Sequence, residues 1–169
     1  MRSPVIIRPL ESEADAEAFL DLNRRWIEQY FEMTDEDERV LSHPHESIVQ
    51  PGGEVLMAVN SEGAVVGVIA ILAAGSGKFE LAKMTVASSA RGLGIGRLLV
   101  DSAVEWAQSR DAALLFLGTN SRLRSAIRVY EAAGFRRVTR EELSLGDYYA
   151  RADTLMAIAI PGSEQAVDA

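Results

Sequence analysis

The chain has 169 residues, a formal net charge of −8 at pH 7 and no cysteine. This length suits a single domain over residues 1–169, and the absence of cysteine excludes disulfides, thiol nucleophiles and thiolate metal sites. The acidic balance argues against nucleic acid or an anionic membrane as the main partner, because both select basic surfaces. With no membrane-spanning apolar run and no signal peptide, we expect a cytoplasmic protein.

The N-terminal part predicts a strand, a helix and an irregular segment. Residues 5–8 form a short apolar strand, and residues 11–30 have the 3.6-residue periodicity of a helix. Residues 33–53 are acidic at 35–38, contain two prolines and have little periodicity. We expect a helical fragment and a loop there, lying over a functional site. The apolar stripe of the long helix is predicted at Phe19, Leu22, Trp26 and Tyr30.

A hairpin and a further strand follow. Residues 54–59 and 64–73 predict two strands joined by the turn Asn60-Ser61-Glu62-Gly63. Residues 79–86 are a third strand of this region, and they lead into a turn that carries alternating glycines. The helix after this turn is expected to place Ile95, Leu98, Leu99, Ser102 and Trp106 on one face.

The alternating glycines, Gly92, Gly94 and Gly96, predict an anion site. Glycine lets the backbone turn tightly and expose consecutive N–H groups, and the following helix adds free N–H groups and the positive end of its dipole. A phosphate or pyrophosphate is the expected anion. The spacing does not fit a G-x-G-x-x-G dinucleotide turn, because the last position holds Arg97 or Leu99, and no P-loop lysine follows.

The C-terminal part predicts a strand, a helix and two more strands. Residues 114–117 have the character of a buried strand, and Asn120 or Ser121 is a candidate helix N-cap. Gly134 stands where a left-handed residue would end this helix. Further strands are expected at residues 135–138 and within 149–160, and the tail from Pro161 is expected to fray. The residues expected on one face of the helix are Leu123, Ile127 and Tyr130.

Two motifs together resemble the GCN5-related N-acetyltransferase (GNAT) superfamily. One is Arg91-x-x-Gly94-x-Gly96 between a strand and a helix, and the other is Asn120…Tyr130…Gly134-Phe135 downstream. The resemblance covers residues 5–160 and implies one acyl-CoA N-acyltransferase domain. Its class is α/β (α+β), a mixed and mostly antiparallel sheet of about six to seven strands flanked by about four helices, and the predicted element order agrees with this.

The resemblance implies an acetyl-CoA-dependent N-acetyltransferase. It would move an acetyl group to a primary amine by direct transfer in a ternary complex, because no cysteine exists to carry a thioester. The expected partner is a small-molecule or peptide amine of unknown identity, no metal is expected, and a homodimer is compatible with such a fold. The implied coenzyme-binding residues are Met84, Thr85, Val86, Arg91, Gly92, Leu93, Gly94, Ile95, Gly96, Arg97, Asn120 and Ala126.

Two side chains are candidate catalytic groups. By resemblance, Tyr130 lies beside the coenzyme thiol and acts as the general acid, because a tyrosine with an ordinary pKa of about 10 keeps its proton at neutral pH. The alternative is a core aromatic. Glu80 is the candidate general base, acting directly or through water, because burial in an apolar strand raises the pKa of a carboxyl. Its alternative is a structural ion pair, for example with Lys83.

Several alternatives stay open. The glycine turn would also suit a nucleotide or dinucleotide enzyme, and a non-catalytic acyl-CoA-binding sensor would keep the turn without needing Glu80 or Tyr130. Arg122 and Arg124 oppose the dipole of the helix that they precede, so they indicate either an anionic neighbour, such as the nucleotide phosphate of coenzyme A, or simple solvent exposure. The acidic run at 35–38 either attracts a cationic amine or is a solvated face.

Overall fold

The computed structural model describes residues 4–143 and 152–160. Its strands are β1 (Val5–Pro9), β2 (Glu54–Asn60), β3 (Val65–Ala73), β4 (Lys78–Val86), β5 (Leu114–Thr119), β6 (Arg136–Val138) and β7 (Thr154–Ala159). They form one sheet in the order β1-β2-β3-β4-β5-β7-β6. Every neighbouring pair is antiparallel except β4 and β5, which are parallel. The predicted mixed, mostly antiparallel α/β fold is confirmed.

Helices cover both faces of this sheet. They are α1 (Glu13–Tyr30), α2 (Asp35–Ser42), α3 (Ile95–Ser109), α4 (Arg124–Ala132) and α5 (Arg140–Leu143), with a π-helical turn at His45–Val49 and a 3-10 turn at Ser88–Ala90. One apolar cluster lies between the sheet and α3 and α4, and a second lies between the sheet and α1 and α2. The helical fragment expected in residues 33–53 is therefore present, whereas the four-residue α5 was too short for its periodicity to be recognised.

The buried row of α1 differs from the predicted stripe. Leu22 and Trp26 are only half-buried, and Tyr30 is 51% exposed. Two of the four buried positions hold polar residues, so the apolar pattern indicated a neighbouring face of the helix. The buried row is Asp15, Phe19, Asn23 and Ile27.

The predicted face of α3 is also partly wrong. Leu98 is 44% exposed, although Ile95 and Leu99 are buried as predicted. The helix lies close to β3, where a Cβ on Gly67 would come within 3.0 Å of the Ile95 side chain and 3.2 Å of Leu99. Small residues such as Ala103 and Ala107 allow the helix to pack this closely against the sheet. They contribute little to the apolar periodicity of the sequence, so the pattern did not indicate that they are buried. The buried row is Ile95, Leu99, Val100, Ala103 and Ala107.

The loop between β5 and α4 corrects the predicted helix cap. The N-cap of α4 is Leu123, not Asn120 or Ser121. Asn120 Oδ1 accepts a hydrogen bond from the backbone N–H of Arg122 at 3.0 Å. The carboxylate of Asp153 accepts bonds from the Ser121 N–H and hydroxyl, both at 2.7 Å. This loop is thus tied to the start of β7.

The C-terminal side of α4 agrees with its prediction. Ile127 and Tyr130 are buried on the same face of the helix, and Gly134 has a φ of +104° just after it. The tail from Pro161 lies outside the described residues. None of the described helices is long and apolar enough to cross a membrane.

Candidate active site

The sheet splits between β4 and β5. Their pairing consists of Lys78↔Leu114, Phe79↔Leu115 and Glu80↔Phe116, and no further pair joins them within the described residues. Both strands nevertheless continue, to Val86 and Thr119. The β3–β4 register shifts between residues 82 and 85, and Lys83 there has a φ of +56°, so an irregularity bends β4 at this point. The split leaves one edge of β4 without a strand partner from β5.

A cavity of about 750 Å³ opens at the split. This volume is typical of ligand sites. The walls come from β4, the end of β5, the turn before α3, the start of α4 and the second half of α1. Of the predicted site residues, Glu80 and Leu93 are not part of the described lining. The cavity brings together Met84, Thr85, Val86, Arg91, Gly92, Gly94, Ile95, Gly96, Arg97, Asn120, Ala126 and Tyr130.

The turn before α3 has the conformation that its glycines require. Gly92 and Gly94 have φ values of +81° and +79°, and Gly94 is the N-cap of α3. A Cβ added at Gly92 or Gly96 would meet no atom within 4 Å. Both glycines line the cavity, so a ligand can approach this backbone and the first N–H groups of α3.

The described lining is positively charged, although the whole chain carries a net charge of −8. It contains no aspartate or glutamate among the described residues. Two of its cations have carboxylate partners at 2.9 Å, Lys83 with Asp37 and Arg97 with Asp101. The arrangement suits a ligand with several negative charges. The cationic residues are Lys83, Arg91, Arg97, Arg122 and Arg124.

The acidic run at residues 35–38 forms ion pairs inside the chain. Burial alone would raise the pKa of Asp37, but hydrogen bonds from the Thr34 N–H and from Lys83 lower it to about 2. Its carboxylate therefore stays charged and holds Lys83 at the bend of β4. The other pairs of the run are Glu36 with Arg39 at 2.7 Å and Glu38 with Arg24 at 2.9 Å.

Tyr130 lies on the cavity wall and is only 8% exposed. Its ring contacts Phe135 edge-on, with 6.0 Å between the centroids. No described residue forms a hydrogen bond with its hydroxyl group. Burial raises the pKa of Tyr130 to about 12. The hydroxyl is therefore protonated at neutral pH and can donate a hydrogen bond to a bound molecule.

Glu80 lies where the split begins. It belongs to the last β4–β5 pair, opposite Phe116, and on its other side it is opposite Leu72 of β3. Burial raises the pKa of Glu80 to about 7, and the positive charge of Lys83 acts in the opposite direction. A carboxyl group with this pKa can take up and release a proton near neutral pH.

We expect Glu80→Gln to stabilise the protein more at pH 8 than at pH 5. The folded-state pKa of about 7 exceeds the ordinary value of 4.5. Between these values the folded protein holds a proton that the unfolded chain has lost, so the stability of the wild type falls as the pH rises through 7. The variant does not lose this stability. The difference between its free energy of unfolding and that of the wild type should therefore increase by about 2–3 kcal/mol from pH 5 to pH 8. Denaturant unfolding of both proteins at the two pH values measures it, and an equal difference at both would contradict the raised pKa.

Sequence reasoning missed the wall that α1 contributes. Trp26 has the character of a core residue in the sequence, yet it lines the cavity together with Asn23, Tyr30 and Phe31. One signal was present in the sequence. Asn23 lies four residues after Phe19 and four before Ile27, so it is a polar residue between two apolar residues on the same face of the helix.

Comparison with known proteins identifies the class of fold and then the family. The crystal structure of a GNAT-family acetyltransferase from Staphylococcus aureus Mu50 has a TM-score of 0.83 and 21% identity, covering 93% of this chain and 99% of that chain. The model of the acetyltransferase (GNAT) family matches residues 18–135. The chain belongs to this family, as the motifs predicted.

One further protein sequence and one further solved structure are similar over most of the chain. An uncharacterised N-acetyltransferase of Schizosaccharomyces pombe is 25% identical over 140 residues, which are 79% of this chain and 84% of that protein. A phosphinothricin acetyltransferase from Sinorhizobium meliloti, solved in complex with acetyl-CoA, has a TM-score of 0.73 and 19% identity and covers 92% of this chain and 88% of that chain.

Proposed function

We propose that the protein is an acetyl-CoA-dependent N-acetyltransferase that transfers the acetyl group directly to a primary amine in a ternary complex. The observation that carries this proposal is the positively charged, glycine-walled cavity at the split between β4 and β5. Coenzyme A is a long ligand with several phosphate charges, and the phosphinothricin acetyltransferase from Sinorhizobium meliloti, which has a similar fold, was solved with acetyl-CoA. The residues present fit this ligand, because the cationic wall and the open glycine positions lie in one cavity.

Each part of the cavity has a task in this proposal. The N–H groups at residues 92–97 bind the pyrophosphate, and Arg122 and Arg124 across the cavity supply positive charge for the nucleotide phosphate. The edge of β4 that lacks a partner from β5 hydrogen-bonds the extended arm of the coenzyme, as an added strand would. The backbone N–H of Val86 is the proposed donor to the oxyanion that forms at the thioester carbonyl.

One proton leaves the amine in the proposed reaction, and the departing sulfur receives a hydrogen bond. The amine nitrogen attacks the thioester carbon, the C–N bond forms, and the C–S bond breaks. Glu80 takes a proton from the amine, directly or through a water molecule. Tyr130, the candidate general acid, donates a hydrogen bond to the sulfur, which leaves as a thiolate and takes up its proton from solvent. Full transfer from a hydroxyl of pKa about 12 to a thiolate is uphill, because an ordinary thiol has a pKa of about 8.5, so its hydrogen bond is the main stabilising contribution.

Gly96→Ala should separate coenzyme binding from folding. Alanine stabilises a helix relative to glycine by about 1 kcal/mol, and its Cβ meets no atom within 4 Å here, so the thermal midpoint should hold or rise. The added methyl group projects into the space proposed for the pyrophosphate, so the Kd for acetyl-CoA should rise by about tenfold or more. Gln108→Ala, at the far end of α3, is the control. Unchanged coenzyme affinity in Gly96→Ala would contradict the proposed position of the phosphates.

The release of coenzyme A thiol tests the activity directly. Because the chain has no cysteine, a thiol reagent reports only the product. The protein is mixed with acetyl-CoA and, in turn, with 2-phenylethylamine, spermidine, aspartate and a peptide with an N-terminal alanine. We expect amine-dependent thiol release with at least one of them. Binding of acetyl-CoA without release for any amine would favour the non-catalytic sensor.

A further inference from the structure

Asn23 carries a buried hydrogen-bond acceptor that no described residue uses. It is 3% exposed and lines the cavity. Its Nδ2 donates to the backbone carbonyl of Phe19 at 3.0 Å. Because the Phe19 carbonyl oxygen can only accept, the atom of the Asn23 amide that faces it must be Nδ2. The opposite atom of the amide is therefore Oδ1, a hydrogen-bond acceptor. A buried acceptor without a partner destabilises the folded protein by about 1–3 kcal/mol, so the presence of Oδ1 at this position needs an explanation.

Thr85 contributes a second oxygen on the same side of the sheet. It is 6% exposed and also lines the cavity, and no described residue forms a hydrogen bond with its hydroxyl. Thr85 is the cross-strand partner of Val68, whose side chain lies in the apolar cluster beneath α1. Cross-strand partners share a face of the sheet. The Asn23 and Thr85 side chains therefore approach the cavity from α1 and from the sheet beneath it.

The neighbouring wall is aromatic. Trp26 lies at the centre of it, with ring-centroid distances of 5.3 Å to Tyr30 and 5.9 Å to Phe31. No carboxylate from the described residues lines the cavity. Such a wall suits an apolar or aromatic body, whereas an amine with several positive charges would lose hydration there without gaining a counter-ion.

We propose that Asn23 Oδ1 and Thr85 Oγ1 position the acceptor, which is a primary amine with an apolar or aromatic body. This inference rests on the proposed function and names the substrate class of that site. Amine N–H groups donate to both oxygens while the body lies against Trp26. A neutral amide oxygen also stabilises the ammonium form less than a carboxylate does, so it holds the amine without opposing the loss of its proton.

Two variants test the positioning role, with 2-phenylethylamine as the acceptor. Asn23→Leu keeps the branched shape of the side chain but removes Oδ1 together with the Nδ2 bond to Phe19, and Thr85→Val replaces only the hydroxyl with a methyl group. We expect each to raise the KM for 2-phenylethylamine about tenfold and to leave the thermal midpoint unchanged or higher, because each removes a buried polar atom that has no described partner. The KM for acetyl-CoA should stay within experimental error of the wild type, because the coenzyme contact proposed for Thr85 uses the backbone edge of β4, which Thr85→Val leaves in place. Glu17→Leu, on the exposed side of α1, is the matched control for a leucine substitution in this helix.

The outcomes separate this inference from the proposed function. A wild-type kcat/KM that is higher for spermidine or aspartate than for 2-phenylethylamine would overturn the substrate class while leaving the acetyltransferase activity established. Unchanged amine KM values in both variants would overturn the positioning role. Equal changes in the KM of both substrates, with a lower thermal midpoint, would show that the two side chains are only structural. No thiol release with any amine would overturn the proposed function itself, and this inference with it.

Discussion

Replacing Tyr130 with phenylalanine is expected to lower kcat by about 10²-fold and to leave the free energy of unfolding almost unchanged. The two effects separate because the hydroxyl lies on the cavity wall and no described residue bonds to it, while the ring packs against Phe135 in both proteins. Removing a buried hydroxyl that has no protein partner costs little stability. In the reaction, however, the departing sulfur would lose the donor that stabilises its negative charge.

The control for this prediction keeps the hydroxyl and disturbs the ring. Phe135→Leu removes the edge-on aromatic contact, which is worth about 0.5–1.5 kcal/mol, so it should lower stability and affect kcat much less than Tyr130→Phe. Steady-state kinetics and denaturant unfolding of both variants make the comparison. If Tyr130→Phe turns over at the wild-type rate across the pH range, Tyr130 is a core aromatic and not a catalytic residue.

Converting Glu80 to glutamine is expected to abolish the acidic limb of the pH profile of kcat/KM near pH 7. A base must be deprotonated to act, so the wild-type rate should rise as the pH passes the pKa of about 7 that burial imposes on Glu80. The variant has no group that titrates at this position, and its rate at pH 8 should be lower by about 10–10²-fold. An ordinary primary amine loses its proton with a pKa of about 10, so its ionisation causes no change of slope near pH 7, and the change of slope there belongs to Glu80.

Glu54→Gln is the matched control, because Glu54 is also a half-buried carboxylate in a strand but lies on β2, a strand that contributes no residue to the described lining, whereas Glu80 lies on β4, which does. Its profile should match that of the wild type. An acidic limb that persists unchanged in Glu80→Gln would mean that another group or a water relay accepts the proton. Glu80 would then have a structural role, in which the positive charge of Lys83 stabilises its carboxylate from a distance while Lys83 itself pairs with Asp37.

The sequence predicted the order of strands and helices and the glycine turn, because these depend on local patterns. Gly92 and Gly94 take left-handed conformations for a reason visible in the sequence, since other residues are strained there. The split between β4 and β5 has no such local signal. It depends on how far two strands distant in sequence stay paired, and on the bend at Lys83 that Asp37 of α2 supports.

The buried face of α1 shows a second limit of prediction from sequence, because it differs from the face that the apolar residues indicated. An apolar pattern assigns the buried face of a helix correctly only when the buried residues are apolar, and Asp15 and Asn23 break that condition. Asp15 accepts two hydrogen bonds from Arg8, at 2.6 and 3.0 Å, which stabilise its charge. Asn23 lines the cavity, so its departure from the pattern has a different cause. A polar residue on the buried face of a helix thus marks either a buried ion pair, as at Asp15, or the wall of a cavity, as at Asn23.

The most direct test of the account is thermal unfolding of the protein with acetyl-CoA, compared with NADH and ATP at matched concentrations. A ligand present at about 100 times its Kd stabilises the folded state by about 2.7 kcal/mol, which is roughly 5–10 °C for a domain of this size. We predict a shift of this size with acetyl-CoA and much smaller shifts with NADH and ATP. No shift with acetyl-CoA at any concentration, or an equal shift with all three, would contradict the proposed coenzyme site and the roles given to Glu80 and Tyr130.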